Sequence, residues 1–243
     1  KMPLANNNIL VISDLHIPYH DKKAVELALQ YGLDNKVNTI IINGDLIDFH
    51  HASRFQHDPR KRDTKYEFDC TRQFLKSLRG LFPTQKIVYL LGNHCVRWEK
   101  YLMTKAPEIF NDSYFSLEAR LGLAELKIEC LTDDTLIKAG KLNITHGHHV
   151  IKGVFAPVNP ARGAFMKTKA CTLIGHCHQV SQHTETTLNG DLIGTYSTGC
   201  LCELHPQYSP FNTTHSHGFA HLIIQKSGSF KVSNKHIFKG EIL

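Results

Sequence analysis

The chain has 243 residues, of which 42% are hydrophobic and 21% are charged, a composition that suits a folded core and excludes extensive disorder. Its formal net charge of +6 is compatible with a polyanionic substrate but does not require one. The 7 cysteines form no C-x-x-C pair, which argues against a disulfide scaffold and against a structural zinc module. We expect one domain over residues 1–243 in a reducing, cytoplasmic compartment. We expect no membrane contact, because no apolar run reaches the roughly 18 residues of a transmembrane helix.

The N-terminal half alternates short apolar runs with helical stripes. The runs at 9–12, 39–42 and 86–91 are rich in β-branched residues and predict strands buried on both faces. Between them, apolar residues repeat at spacings of three and four over 21–36 and over 64–81, which predicts two helices. This alternation predicts right-handed crossovers and a largely parallel sheet.

The rest of the chain is richer in strands. Shorter helices are predicted at 98–105 and 116–121, followed by buried strands at 141–144 and 171–174. Alternating patterns then predict half-exposed strands at 192–197, 217–225 and 230–238. Together the segments predict a layered α/β architecture with sheets inside and helices outside.

Side chains that can bind metal ions follow each of the five buried runs. The five motifs, in chain order, are Asp14-Leu15-His16, Gly44-Asp45-Leu46-Ile47-Asp48, Gly92-Asn93-His94, His146-Gly147-His148-His149 and Gly175-His176-Cys177-His178. Each motif alone is also common in ordinary turns. Because the carboxyl ends of parallel strands meet at one edge of a sheet, we expect the five to converge on one crevice. Carboxylate, imidazole and amide donors together suit Mn, Fe, Ni, Co or Zn.

In this order the motifs resemble the pattern of the calcineurin-like metallophosphoesterase superfamily, which runs D-x-H, G-D-x-x-D, G-N-H-[DE], a later histidine and G-H-x-H. The resemblance covers about Asp14 to His178 and implies a four-layer α-β-β-α sandwich of mixed sheets. It implies two divalent metal ions, with manganese favoured over iron, nickel, cobalt and zinc. The implied ligands are Asp14, His16 and His178 for the first ion, Asn93, His146 and His176 for the second, and Asp45 for both.

The resemblance also implies a reaction, the hydrolysis of a phosphoester by a hydroxide held between the two ions. His94 would protonate or hydrogen-bond the leaving oxygen, and Asp48 would orient His94 or a ligand imidazole. We expect a phosphodiesterase or phosphatase acting on nucleotides or small phosphoesters. A DNA or RNA nuclease of the same superfamily and a non-catalytic metal-binding scaffold stay open as alternatives. The sequence does not predict the oligomeric state.

Several residues near the motifs are candidates for substrate binding. Arg97, Arg162 and His148 are close enough in sequence to the motif loops to contact a phosphoester. The basic run at 59–62 is either a contact to a nucleic-acid or nucleotide phosphate backbone or a solvated loop. The C-terminal histidines His215, His217 and His221 are interpreted as structural.

Two positions depart from the superfamily pattern. Cys95 stands where an acidic residue usually follows G-N-H, and we expect it to pack as a small apolar side chain. Phe49 stands where protein phosphatases of the superfamily carry an arginine, which disfavours a Ser/Thr phosphatase of that type. Trp98 is expected to pack in the core rather than to stack on a base.

Overall fold

A computed structural model gives the structure of the chain and describes residues 2–4, 7–52, 63–151, 158–205 and 214–243. The helices are α1 (Lys22–Asp34), α2 (Thr64–Leu81), α3 (Arg97–Lys105), α4 (Leu117–Leu121) and α5 (Pro160–Thr168). The strands are β1 (Met2–Leu4), β2 (Asn8–Ile12), β3 (Thr39–Asn43), β4 (Lys86–Leu90), β5 (Ile128–Leu131), β6 (Ile137–Ala139), β7 (Leu142–Thr145), β8 (Thr172–Ile174), β9 (Ser181–Thr186), β10 (Leu192–Ser197), β11 (His217–Ile224), β12 (Phe230–Phe238) and β13 (Glu241–Ile242).

These strands form two mixed sheets. The first sheet has the order β13-β12-β11-β2-β3-β4-β5, and its strands β2 to β5 run parallel. The second has the order β1-β6-β7-β8-β10-β9, and its strands β7, β8 and β10 run parallel. Antiparallel strands extend both sheets beyond their parallel centres, at β11–β13 in the first and at β6 and β9 in the second.

Two hydrophobic cores stack the elements into four layers. One core lies between the sheets, where Ile9 and Val88 of the first sheet join Ile144 and Leu173 of the second. The other core covers the opposite face of the first sheet with apolar side chains of α1, α2 and α4. Helix α5 contacts β8, β9 and β10 of the second sheet. Each fully buried aliphatic side chain contributes about 1.5–3 kcal/mol, so burial on both faces explains the continuous apolar strand runs.

The predicted helices are found close to their predicted limits. Asp21 caps α1, because its side chain accepts a hydrogen bond from the amide of Ala24 at 2.8 Å. Helix α1 ends at Asp34, before the predicted limit, because Lys36 has a left-handed backbone with φ of 51°. Helix α2 has the predicted limits and turns its periodic apolar residues, Phe68 and Leu75 among them, into the core.

Sequence patterns did not predict β1, β5, β6, β9, β13 or α5, and the structure shows why for three of them. Strand β5 buries only its first residue fully, and β9 is an edge strand without an apolar face. Helix α5 contains Gly163, a residue of low helix propensity, although its start has a favourable signal in Asn159 followed by Pro160. In the part of the chain that the structure describes, no helix is both long enough and apolar enough to cross a membrane.

Candidate metal centre

The predicted metal-binding residues lie at the carboxyl ends of five parallel strands. Register aligns Ile12 of β2 with Ile42 of β3, and Thr145 of β7 with Ile174 of β8. The loops that follow β2, β3, β4, β7 and β8 therefore leave the two sheets at one common edge. These loops carry the seven predicted ligands.

The first group of donors contains Asp14, His16 and His178. The Nε2 atoms of His16 and His178 face each other at 3.1 Å, and Nε2 of His178 lies 3.3 Å from Oδ1 of Asp14. A tetrahedral ion with bonds of 2.0–2.1 Å separates its ligand atoms by roughly 3.3 Å, which fits these two spacings. The third spacing, from Nε2 of His16 to Oδ1 of Asp14, is 4.0 Å and would shorten around a tetrahedral ion. Oδ1 of Asp14 is buried and accepts no hydrogen bond among the described residues, as expected of an oxygen kept for a cation.

The second group contains Asn93, His146 and His176. Nε2 of His146 lies 3.3 Å from Oδ1 of Asn93 and 3.2 Å from Oδ2 of Asp45. One ligand atom each of Asp45, His146 and His176 lie within 4.8 Å of one another. The structure thus brings the amide, the carboxylate and both imidazoles together.

Asp45 joins the two groups. Its Oδ2 lies 3.2 Å from His146 in the second group and 3.9 Å from His16 in the first, while its Oδ1 accepts the backbone amide of His94 at 2.8 Å. This places one carboxylate oxygen between both sets of imidazoles, as the bridging assignment requires.

The protonation of these groups reflects their crowding. Burial acts to raise the pKa of the Asp45 carboxyl, but His146 and His94 outweigh it and hold that pKa well below its ordinary value. Burial acts to lower the pKa of His146, but Asp45 and Asp14 outweigh it and raise this pKa to about 9. Burial and repulsion from His146 lower the pKa of His176 to about 4. A divalent cation would displace the protons that these carboxylates and imidazoles share, because metal ligands bind in their deprotonated form.

Two glycines make room for the ligands. A Cβ atom on Gly44, whose φ is 89°, would overlap the ring of His146, and one on Gly92 would overlap the carboxylate of Asp45. The glycines in these motifs are therefore required by the close approach of a ligand side chain from a neighbouring loop.

Asp48, His94 and Arg97 contact one another beside the first donor group. Oδ1 of Asp48 lies 2.8 Å from Nδ1 of His16 and 3.1 Å from Nδ1 of His94, so it contacts both of the imidazoles considered for it. Arg97 donates one hydrogen bond to the Asp48 carbonyl at 3.1 Å and another to Nε2 of His94 at 2.8 Å. Burial acts to raise the pKa of Asp48, but its hydrogen bonds to both histidines outweigh this and hold that pKa far below its usual range.

Comparison with known proteins places this geometry in a family. The family model described as calcineurin-like phosphoesterase matches residues 8–185, most of the chain and all five motif loops. The chain belongs to the calcineurin-like phosphoesterase family. This confirms the resemblance drawn from the motifs, and the family binds two divalent metal ions.

Individual proteins are similar to this chain in sequence or in fold. The Gene 54 protein of Mycobacterium phage L5 is 29% identical over 192 residues, which cover 74% of this chain and 72% of the phage protein. The Gene 54 protein of Mycobacterium phage D29 is 25% identical over 187 residues, with the same coverage of 74% and 72%. Vacuolar Protein Sorting 29 from Cryptosporidium parvum superposes with a TM-score of 0.50 at 16% identity, covering 99% of this chain and 96% of that one, which supports the fold. The four-layer sandwich of mixed sheets is confirmed.

The two departures from the family pattern are both buried. Cys95 is 1% exposed, and its Sγ lies 2.9 Å from the hydroxyl of Tyr89 in the core. Burial and the charge of Asp45 raise the pKa of the Cys95 thiol to about 11, so Cys95 is an inert core residue as expected. Phe49 is fully buried and stacks on Trp98 at 6.0 Å between ring centroids, which confirms that Trp98 packs in the core.

The other predicted substrate contacts have different surroundings. Arg162 lies in the first turn of α5, where its amide donates to the capping side chain of Asn159 at 2.9 Å. His148 lies near the second group, 5.4 Å from His146 between ring centroids, and its Nε2 contacts Asp133 at 3.1 Å. Their roles in substrate binding stay predictions. The basic run at 59–62 lies outside the described residues.

Sequence reasoning missed some residues at the site. His215, interpreted as structural, lies with its ring centroid 4.5 Å from that of His178. Sγ of Cys202 lies 3.7 Å from Nδ1 of His178, and the carbonyl of Asn43 lies 2.8 Å from Nδ1 of His146. Cys202 and the Asn43 carbonyl each contact the Nδ1 atom of a ligand imidazole, on the side that faces away from the metal position, where a hydrogen-bond partner orients the ring. No spacing signal links them to the motifs, because they reach the site through the tertiary fold.

Proposed function

We propose that the chain is a dinuclear metal-dependent phosphoester hydrolase that acts on nucleotides or small phosphoesters. The observation that carries this proposal is the pair of donor groups joined by Asp45, with the ring centroid of His94 4.3 Å from that of His16 in the first group. Manganese is the ion we favour. The set of carboxylate, amide and imidazole donors also suits Fe, Co, Ni or Zn. Bound ions would lower the pKa of a water molecule and offset the negative charge that develops on the phosphoryl oxygens.

His94 would serve the leaving oxygen, and its hydrogen bonds to Arg97 and Asp48 describe its state before substrate binds. Arginine can only donate, so Nε2 of His94 accepts from Arg97 and its Nδ1 carries the proton that faces Asp48. In this state His94 is neutral and has no proton to give at Nε2. The Asp48 carboxylate lies 3.1 Å from Nδ1 and helps to orient the ring.

Arg97 therefore has a defined part in the reaction. A phosphoryl oxygen of the substrate would accept the Arg97 N–H that now bonds to His94, because a charge-assisted bond to phosphate is the stronger of the two. This exchange would free Nε2 of His94 to take a proton from solvent water, and His94 would then pass that proton to the leaving oxygen. Substrate binding would therefore come before His94 can act as an acid.

A metal-reconstituted screen tests the proposal. The metal-free chain would be loaded with Mn, Co, Ni or Zn and assayed on a paired chromogenic phosphomonoester and phosphodiester, a set of nucleotides and a single-stranded oligonucleotide. We expect hydrolysis of small substrates that Asp45→Asn abolishes. Lys23→Gln is the matched control, because Lys23 pairs with Glu26 on the surface of α1.

The same screen separates the alternatives. Cleavage of the oligonucleotide alone, with a steep loss of affinity as salt rises, would show a nuclease instead. Two bound ions per chain with no hydrolysis of any substrate would show a metal-binding scaffold.

A further inference from the structure

A second cluster of metal-binding side chains lies beside the metal centre and takes no part in it. Asp133 lies in the turn between β5 and β6, and His148 and His149 lie in the turn after β7. The Nε2 atoms of both histidines lie 3.1 Å from one oxygen, Oδ2 of Asp133. All three donor atoms lie within 4.8 Å of one another. Two separate loops thus present three donors to one point.

We propose that Asp133, His148 and His149 bind a third divalent cation, of the zinc or cobalt class. Two imidazoles and one carboxylate are a recurring donor set for zinc, with a fourth position left for water or a ligand. A tetrahedral ion with bonds of 2.0–2.1 Å spaces its donors by roughly 3.3 Å, so the two contacts of 3.1 Å need to open only slightly.

The competing explanation is a triad held by hydrogen bonds alone. In that case both imidazoles donate to the same carboxylate oxygen, with their ring centroids only 3.8 Å apart. A cation at the same point would take a lone pair from each of the three side chains and remove the competition for one oxygen. Both explanations keep the side chains together, so metal content decides between them.

The position of the cluster predicts how this ion would behave. The side chain of His149 is 53% exposed and that of Asp133 is 26% exposed, so the ion would exchange more readily than ions held by the buried Asp14 and Asp45. The ring centroid of His148 lies 5.4 Å from that of His146 and 6.0 Å from that of His176. A third cation would therefore add positive charge at the rim of the metal centre, on the side of its second donor group.

Metal stoichiometry tests this inference without any measurement of activity. The metal-free chain of 243 residues and its variants would be dialysed against Zn²⁺ and analysed for bound metal. They would then be titrated with Co²⁺ while the visible absorption is followed. We expect His149→Ala and Asp133→Asn each to bind one ion fewer per chain than the wild type, with the weakest binding step lost. His183→Ala is the matched control, because His183 contacts Glu185 at 3.0 Å on β9 without joining any of the three-donor groups found among the described residues. It should keep the wild-type count.

Equal metal counts in the wild type, His149→Ala and Asp133→Asn would overturn the inference, as would an equal loss in His183→Ala. His149 is exposed, so the fold of its variant should persist, and a melting transition of the metal-free variant checks this. If that transition is lost, Asp133→Asn decides. A third ion that disappears with His149→Ala in a chain without hydrolase activity would leave this inference standing while the proposed function fails.

Discussion

Replacement of Asp48 by asparagine should weaken one metal position and spare the other. Asp48 contacts Nδ1 of His16, a donor of the first group, at 2.8 Å, whereas Nδ1 of His146 in the second group faces the Asn43 carbonyl at 2.8 Å. Asparagine keeps an acceptor oxygen for His16 but removes the negative charge that makes the imidazole a stronger ligand. Loss of such a partner typically costs 10–100-fold in metal affinity or activity, or about 1.4–2.7 kcal/mol.

Competition between the metal-free protein and a chromophoric chelator resolves the two binding steps. We expect Asp48→Asn to weaken one step by about 10–100-fold and leave the other within a factor of about 3 of the wild type. The control is Asp69→Asn, because Asp69 pairs with Lys65 on the exposed face of α2. An equal weakening of both steps, or of neither, would refute the assignment of Asp48 to the first group.

Three further predictions follow from the same contacts. His94→Ala should retain both ions but reduce kcat on a phosphodiester by at least about 10-fold and up to about 100-fold, measured beside metal analysis, because it removes the acid and not a ligand. Arg97→Ala should raise KM, and the fold-increase in KM should exceed the fold-decrease in kcat by a factor of at least about 10, because a charge-assisted contact to phosphate is worth about 1.5–3 kcal/mol. An unchanged KM in steady-state assays would contradict this prediction. Gly92→Ala should lower metal content at both positions after dialysis against metal, because the new methyl group would displace the shared Asp45. Gly80→Ala is the control, because a methyl group there meets open space, and this variant should bind metal like the wild type.

Secondary structure could be predicted from the sequence where a strand is buried on both faces, because such a strand is continuously apolar. The runs at 9–12 and 39–42 are continuous and apolar because one face of each strand packs on a helix layer and the opposite face packs on the second sheet. This pattern is typical of buried strands, so both runs were predicted as strands. Strand β9 was not readable, because it lies at an edge and its polar residues match a loop as well as a strand. Pairing order across the two sheets is a long-range property that no local pattern encodes.

The site divides in the same way. The seven predicted ligands follow strand ends, so topology alone predicts that they meet, and the structure brings them together. The partners of their imidazoles, Cys202 and the carbonyl of Asn43, depend on the relative placement of loops from both sheets. Asp133 was missed for a related reason, since the strand before it was not predicted and its approach to His148 is set by the second sheet.

Backbone conformation adds an argument that side-chain distances do not supply. Five of the seven predicted ligands have the left-handed conformation that non-glycine residues rarely adopt, namely Asp14 (φ 55°), His16 (φ 49°), Asp45 (φ 46°), His176 (φ 65°) and His178 (φ 54°). Each costs on the order of 1–3 kcal/mol, and glycine at any of them would relieve that cost. A sequence that keeps carboxylates and imidazoles at such positions sacrifices stability for the direction in which those side chains point. Bound cations would offset the strain, because they stabilise the native chain in which the donors are already assembled. Among the described residues, ten non-glycine residues have this conformation, and five of them are these ligands, so half of the strained positions lie in the candidate metal centre, as expected of a preorganised site.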